Sequence, residues 1–264
     1  MFESKLFCEA VRRETLNYQI LQPENRNLID KNATSFFGSY QAVCELTEDG
    51  LLFHYPQSDQ LFPEPPLIRK QYIDLNDFDY IGFQNTHRYD KRNTETKTVG
   101  FFLKDVKFEH VCYRPWDYIG RLMQYRQTLT PDISCYTDMP ITDQWRNTYW
   151  NRLIGAYWQY CGLTVIPAVS WSDERSFEFS FSGLEKGSIV AVSTNGTGAV
   201  RSRFMTGFKE LCARIKPERV ICYCTPYTEM HNYAKILYLE HEGNKKRRLA
   251  RWLPVPEQRT FQFN

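Results

Sequence analysis

The alternation of buried strands and helices constrains the fold of this chain more than any other feature. From about residue 98, apolar runs typical of strands alternate with helical segments across short connections. Strand–helix–strand units place their strands in parallel, and parallel sheets are buried on both faces. The pattern therefore predicts an α/β fold with a mainly parallel β-sheet and flanking helices. The predicted strands are 98–103, 132–136, 163–169, 188–193 and 219–224, and the predicted helices are 115–125, 142–160 and 201–215.

The longest predicted helix has a wide apolar face. Trp145, Tyr149 and Leu153 recur every four residues, as expected for a helix packed on a sheet. Thr142 is placed to cap this helix at its start. Gly162 can end it in a left-handed conformation, which glycine adopts without strain.

The sequence does not distinguish between two topologies of the sheet. The alternation fits an open doubly wound sheet and a distorted barrel equally well. Residues 177–181 alternate polar and apolar side chains, which predicts an edge strand. A length of 264 residues is compatible with a single α/β domain. We expect that domain to contain an irregular N-terminal part (1–97, with short strands near 51–55 and 79–83), a core (98–225) and a C-terminal extension (226–264).

Charge does not mark the whole chain as a nucleic-acid binder, because the net charge is only +2. A basic cluster near the C-terminus is the exception, and it is either a solvated surface segment or a phosphate-contacting tail. Its candidate nucleic-acid-binding residues are Lys245, Lys246, Arg247 and Arg248. Aromatic residues reach 16%, which suits either a large core or stacking on bases.

The cysteines and the hydropathy pattern indicate where the protein resides. The eight cysteines are scattered and lack CxxC spacing, as is typical of free thiols in a reducing compartment. The N-terminus has no apolar signal core, and no apolar stretch approaches the roughly 20 residues that span a bilayer. We therefore expect a cytoplasmic protein with no membrane segment.

Polar residues follow the predicted strands, which directs attention to one edge of the sheet. Ligands of parallel α/β proteins bind at the carboxyl ends of the strands. Asp105, Asp132 and Asp138 are the candidate catalytic residues. With Asp173 they could instead hold a divalent cation through oxygen ligands, and a pair of them could divide acid and base roles. In a purely structural alternative, Asp132 and Asp138 cap turns beside prolines.

Further candidates would bind a ligand at the same edge. The loop 193–198 could hold a phosphate through its backbone N–H groups, although an ordinary strand–helix turn fits equally well. Arg152 could bind a phosphate or a carboxylate, or hold a structural carboxylate such as Asp138. The candidate ligand-binding residues are Ser134, Tyr136, Asn147, Arg152, Gln159, Ser170, Trp171, Ser193, Asn195 and Gly196.

An ordered series of motifs carries a resemblance to a known family. The series comprises 101–109, the run PDISCYTDMP at 131–140, then 147–159, 165–171, 181–188 and 190–196. Together they resemble domain of unknown function 4417, a family of phages, mobile elements and bacteria. The family tends to carry paired acids where this chain has Lys104 and Asp105. The resemblance implies kinship without an established activity, and its mobile-element setting favours work on nucleic acid or nucleotides.

Two main functional hypotheses follow. The first is a nucleotide- or nucleic-acid-directed protein whose site lies at the carboxyl ends of the strands, with metal-dependent phosphodiester chemistry as one version. The second is a non-catalytic binder that sequesters a nucleotide signal or contacts a host protein, because the chain has no standard catalytic motif. A structural or assembly protein, whose aromatic residues serve only packing, is a third alternative.

Overall fold

The computed structural model describes residues 44–47, 50–53, 62, 64–76, 78–88, 90, 92, 94–240 and 251–252. The chain forms two compact units, residues 1–63 with 160–162 and residues 64–159 with 163–264. In the first unit, strands β1 (Cys44–Thr47) and β2 (Gly50–Phe53) form an antiparallel pair. The basic residues 245–248, and most of the predicted irregular N-terminal part, lie outside the described residues.

The second unit contains the predicted parallel sheet. Two four-stranded sheets have the orders β3-β4-β5-β6 and β7-β8-β9-β10, and every pair of neighbours is parallel except β9 with β10. A parallel bridge between Ala168 and Ala191 joins β6 to β7. The strands are β3 (Asp79–Gly82), β4 (Lys97–Gly100), β5 (Gln127–Leu129), β6 (Val165–Ile166), β7 (Val190–Ser193), β8 (Val220–Tyr223), β9 (Ile236–Leu239) and β10 (Arg251–Trp252).

Helices connect the strands as the sequence predicts. The described α-helices are α1 (Glu109–Tyr113), α2 (Ile119–Leu122), α3 (Ile141–Tyr160), α4 (Phe177–Ser180) and α5 (Arg201–Ile215). The predicted helix 115–125 divides into a 3-10 turn, Pro115–Tyr118, and α2. Gly162 has φ +86°, which confirms the left-handed stop after α3. No helix within the described ranges is long and apolar enough to span a bilayer.

The sheet is curled rather than flat. The strand order follows the chain order from β3 to β9 without the reversal that defines a doubly wound sheet. In a flat sheet β3 and β8 would lie about 24 Å apart, at about 4.8 Å per strand. Yet the rings of Tyr80 (β3) and Tyr223 (β8) have centroids only 5.5 Å apart. Strands β3 to β8 therefore wrap around a common core, which favours the distorted-barrel alternative.

Helix α5 covers the outer face of β7 and β8. Phe204, Phe208 and Leu211, spaced three and four residues apart, are buried against Val190 and Val192. The predicted bounds of this helix, 201–215, are confirmed.

Three local predictions are wrong. Residues 132–136 form a loop after β5, because the Ile133 N–H donates to Pro131 O and side chains bind the backbone of Ser134. Residues 177–180 form α4 and Phe181 follows its end, one turn after Phe177, with the two tilted rings 5.5 Å apart between centroids. Thr142 lies inside α3, since Pro140 O already accepts the first helical hydrogen bonds.

Candidate functional site

Three neighbouring strands deliver polar side chains to one place. Asp105 follows β4 and Ser134 follows β5. The Ser134 N–H donates to Asp105 Oδ2 (3.2 Å) and its hydroxyl donates to Asp105 Oδ1 (3.0 Å). Ser170, which follows β6, donates its hydroxyl to Ile133 O (3.4 Å). We call this region, centred on Asp105, Asp132 and Ser134, the carboxyl-edge site.

Asp132 is the most perturbed group of the carboxyl-edge site. It is half-buried, and no hydrogen bond or ion pair reaches its carboxyl from the described residues. Burial raises its pKa to about 7, and the negative charge of Asp105 contributes in the same direction, while the positive charge of Arg152 opposes the rise. Burial also raises the pKa of Asp105, against the two hydrogen bonds from Ser134. The structure therefore holds two carboxyl groups in poorly solvated surroundings, and the charge of Asp105 acts on Asp132.

Arg152 is fully buried, and its donors are committed to neutral acceptors. Nε donates to Ser182 O (3.1 Å), Nη2 to Ser180 O (2.7 Å) and Nη1 to Ala168 O (3.3 Å). Nη1 also donates to the side-chain oxygen of Asn151. Burial lowers the pKa of Arg152 to about 10, so it stays charged at neutral pH. It thus ties the end of β6 to α4 and acts on Asp132 only through space.

One face of α3 holds the loop that carries Asp132. Asn147 Nδ2 donates to Ser134 O (2.8 Å) and Asn151 Nδ2 donates to Pro131 O (2.6 Å). Gln144, which the sequence analysis missed, is fully buried and donates to Met139 O (3.0 Å). Its spacing of three and seven residues from the two asparagines places all three on one helix face, a signal that could have identified it.

Gln159 lies at the other end of α3. Its Nε2 donates to Arg69 O and to Gln71 Oε1, each at 2.8 Å. Gln71 Oε1 also accepts from the N–H of Val165, at the start of β6. Twelve residues of helix separate Gln159 from Asn147, about 18 Å. The structure therefore places Gln159 at the amino ends of the strands.

Trp171 packs within the protein, whereas the loop after β7 exposes Asn195 and Gly196. The Trp171 ring packs on Phe204, with centroids 5.0 Å apart. Ser193 Oγ accepts from the N–H of Asn195 (3.1 Å), and Gly196 is exposed with φ +75°.

Tyr136 and Asp138 share an exposed turn closed by Met139 N–H donating to Tyr136 O (3.1 Å). Tyr136 is therefore beside the carboxyl-edge site, four residues after Asp132. Within the described part of the chain, no group of three or more His, Cys, Asp or Glu side chains is arranged to hold a metal ion.

Comparison with known proteins gives the family. The family model described as domain of unknown function (DUF4417) matches residues 33–240. The Gene 1 protein of Mycobacterium phage L5 is 38% identical over 150 residues, which is 54% of this chain and 65% of that protein. The Gene 1 protein of Mycobacterium phage D29 is 36% identical over 126 residues, 47% of each chain. The matches thus span less than two thirds of either relative.

No solved structure gives a significant match. The family model covers residues on both sides of the predicted core, including β3 and β9. Because it matches well over half of the chain, this protein belongs to the family described as domain of unknown function (DUF4417).

Proposed function

We propose that the carboxyl-edge site performs phosphodiester chemistry on a nucleotide or nucleic acid, with Asp132 as the proton-transferring residue. The observation that carries the proposal is the Asp132 carboxyl, which lies half-buried, feels the charge of Asp105 and receives no hydrogen bond from the described residues. Buried polar groups that serve structure alone are satisfied by partners. A strongly perturbed carboxyl next to a second one is typical of a functional site.

The two carboxyl groups suit different roles. Asp132, with a pKa of about 7, can donate a proton to a leaving oxygen and take one from water at neutral pH. Asp105 is held by Ser134 and acts as the charged neighbour that keeps the Asp132 proton in place. The buried charge of Arg152 limits the rise in the pKa of Asp132.

The substrate class rests on other features. Lys104 and Lys107 are exposed on the turn that contains Asp105, where they can contact phosphate oxygens. Two relatives of the chain are Gene 1 proteins of mycobacteriophages, and the phage and mobile-element setting of the family favours work on nucleic acid or nucleotides. Free thiols at all six cysteines within residues 94–240 support a cytoplasmic location as part of this proposal.

Hydrolysis of bis(p-nitrophenyl) phosphate tests the proposal. We expect release of p-nitrophenolate by the wild-type protein, and a fall of about 10²- to 10⁴-fold in kcat/KM for Asp132→Asn. The matched control is Asp117→Asn, which removes an exposed carboxylate paired with Arg114. Parallel reactions with Mg²⁺, Mn²⁺ or EDTA show whether a divalent cation takes part. Equal turnover by Asp132→Asn and wild type would contradict the assignment.

One observation favours the non-catalytic alternative. The donors of Arg152 point to backbone and amide oxygens, so its charge is not presented directly to a transition state. A protein that only binds a nucleotide signal or a host protein needs no such group. Mass spectrometry of molecules released from the purified, denatured protein distinguishes the two functions, because a bound nucleotide that is recovered intact after long incubation with metal supports the binder.

A further inference from the structure

An exposed aromatic ring stands on a firmly held turn beside the carboxyl-edge site. Tyr136 is 61% exposed, although the backbone around it is fixed on both sides. Before it, Ser134 O accepts from Asn147 Nδ2 (2.8 Å); after it, Met139 O accepts from Gln144 Nε2 (3.0 Å). An aromatic side chain that a rigid backbone holds beside a candidate site is preorganised for contact with a ligand.

The charged residues around Tyr136 indicate how a ligand would be oriented in the site. Ser134, two residues earlier, binds Asp105, whose turn carries Lys104 and Lys107. The Lys107 ammonium donates to Gln84 Oε1 (2.7 Å) and keeps further donors, while Lys104 is exposed. Asp138, on the turn of Tyr136 itself, repels phosphate from that side. A nucleic-acid ligand would therefore place its phosphate backbone on the turn of Lys104 and Lys107, which we call the lysine turn. Its bases would then lie on the side of Tyr136.

We infer that Tyr136 stacks on an unpaired nucleobase and that the ligand of the carboxyl-edge site is single-stranded nucleic acid. Every base offers a π-face to an aromatic ring, whereas the faces of bases inside a duplex are already covered by their neighbours. The lysine turn would hold the phosphate and bring the phosphodiester to Asp132. This inference rests on the proposed function and names its substrate class.

Fluorescence anisotropy with a labelled oligothymidylate of about 15 nucleotides tests the inference without requiring turnover. We expect the wild-type protein to bind it, Tyr136→Ala to bind about 5- to 150-fold more weakly, and Tyr136→Phe to bind as the wild type does. The matched control is Tyr72→Ala, since Tyr72 is 85% exposed and adjoins Gln71 at the amino ends of the strands. The same sequence as a duplex should bind more weakly than the single strand.

The outcomes separate the two proposals. Any of three results would overturn the inference: equal affinity of wild type and Tyr136→Ala for the oligothymidylate, tighter binding of the duplex than of the single strand, or no binding by the wild type. In any of these cases, continued hydrolysis of bis(p-nitrophenyl) phosphate with its dependence on Asp132 would leave the proposed function standing. Binding that depends on Tyr136, without any turnover, would support the inference and count against phosphodiester chemistry.

Discussion

Replacing Asp132 by asparagine should stabilise the protein, and more so as the pH rises. The native state raises the pKa of Asp132 from 3.8 to about 7. Between these values the native state keeps a proton that the unfolded state releases. The free energy of unfolding of the wild type therefore falls as the pH rises through this window and levels off above about pH 7. The asparagine side chain of the variant cannot ionise, so the variant escapes this loss.

The size of the effect follows from the pKa shift. A shift of about 3 units at about 1.4 kcal/mol per unit gives a ceiling of about 4 kcal/mol above pH 7. Between about pH 5 and pH 7 the advantage of the variant should grow by about 2 kcal/mol. Because Asp132 keeps some contact with water, these values are upper limits.

Urea unfolding of wild type and Asp132→Asn, followed by tryptophan fluorescence at a series of pH values, measures this difference. Asp117→Asn again serves as the control, because it makes the same chemical change at an exposed carboxylate. A stability difference that does not change with pH, or a variant less stable than the wild type at neutral pH, would refute the reasoning.

Three further predictions test the supporting structure. Arg152→Met should lower the free energy of unfolding by at least about 3 kcal/mol, measured by urea unfolding, because Ser180 O and Ser182 O lose their side-chain donor and Ala168 O keeps only the Asn151 amide; wild-type stability would contradict this. Gly207→Ala should lower the free energy of unfolding by about 1–3 kcal/mol, because the new Cβ would lie 2.1 Å from Trp171 Nε1. Gly120→Ala is the control and should be neutral or stabilising, because its new Cβ would meet no atom within 4 Å. Equal melting temperatures of the two variants would argue against this packing. Ser134→Ala should raise the pKa of Asp105 further, because the ionised carboxylate loses a hydrogen bond. Carboxyl-carbon NMR measures this pKa, and an unchanged titration of Asp105 in the variant would contradict the contact.

The sequence predicts the elements whose pattern is locally complete. Helix α5 has an amphipathic repeat and a following proline, and its bounds are confirmed. Strand β9 was missed because the chain reaches it through a 3-10 turn, Thr228–Asn232, instead of a crossover helix. Helix α4 was mistaken for a strand because a Phe-x-Phe-x-Phe run satisfies strand alternation as well as helical spacing.

The site was predictable as a region and less so as a set of residues. A parallel sheet brings its carboxyl ends together, which is why Asp105, Asp132 and Ser134 could be grouped from sequence. A helix face does not reveal which end of the sheet a residue reaches, so Gln159 was grouped with Asn147 although it lies at the amino ends. The partners of Arg152 come from distant parts of the chain, and no local pattern indicates them.

Cleavage of a labelled oligothymidylate by wild-type protein and by Asp132→Asn, followed by separation of the products, tests the central claim most directly. The account predicts shortened products with the wild type near neutral pH and at least a roughly 100-fold slower reaction with the folded variant. Cleavage that proceeds equally in both proteins, or an intact oligonucleotide with the wild type in every cation and in EDTA, would contradict it.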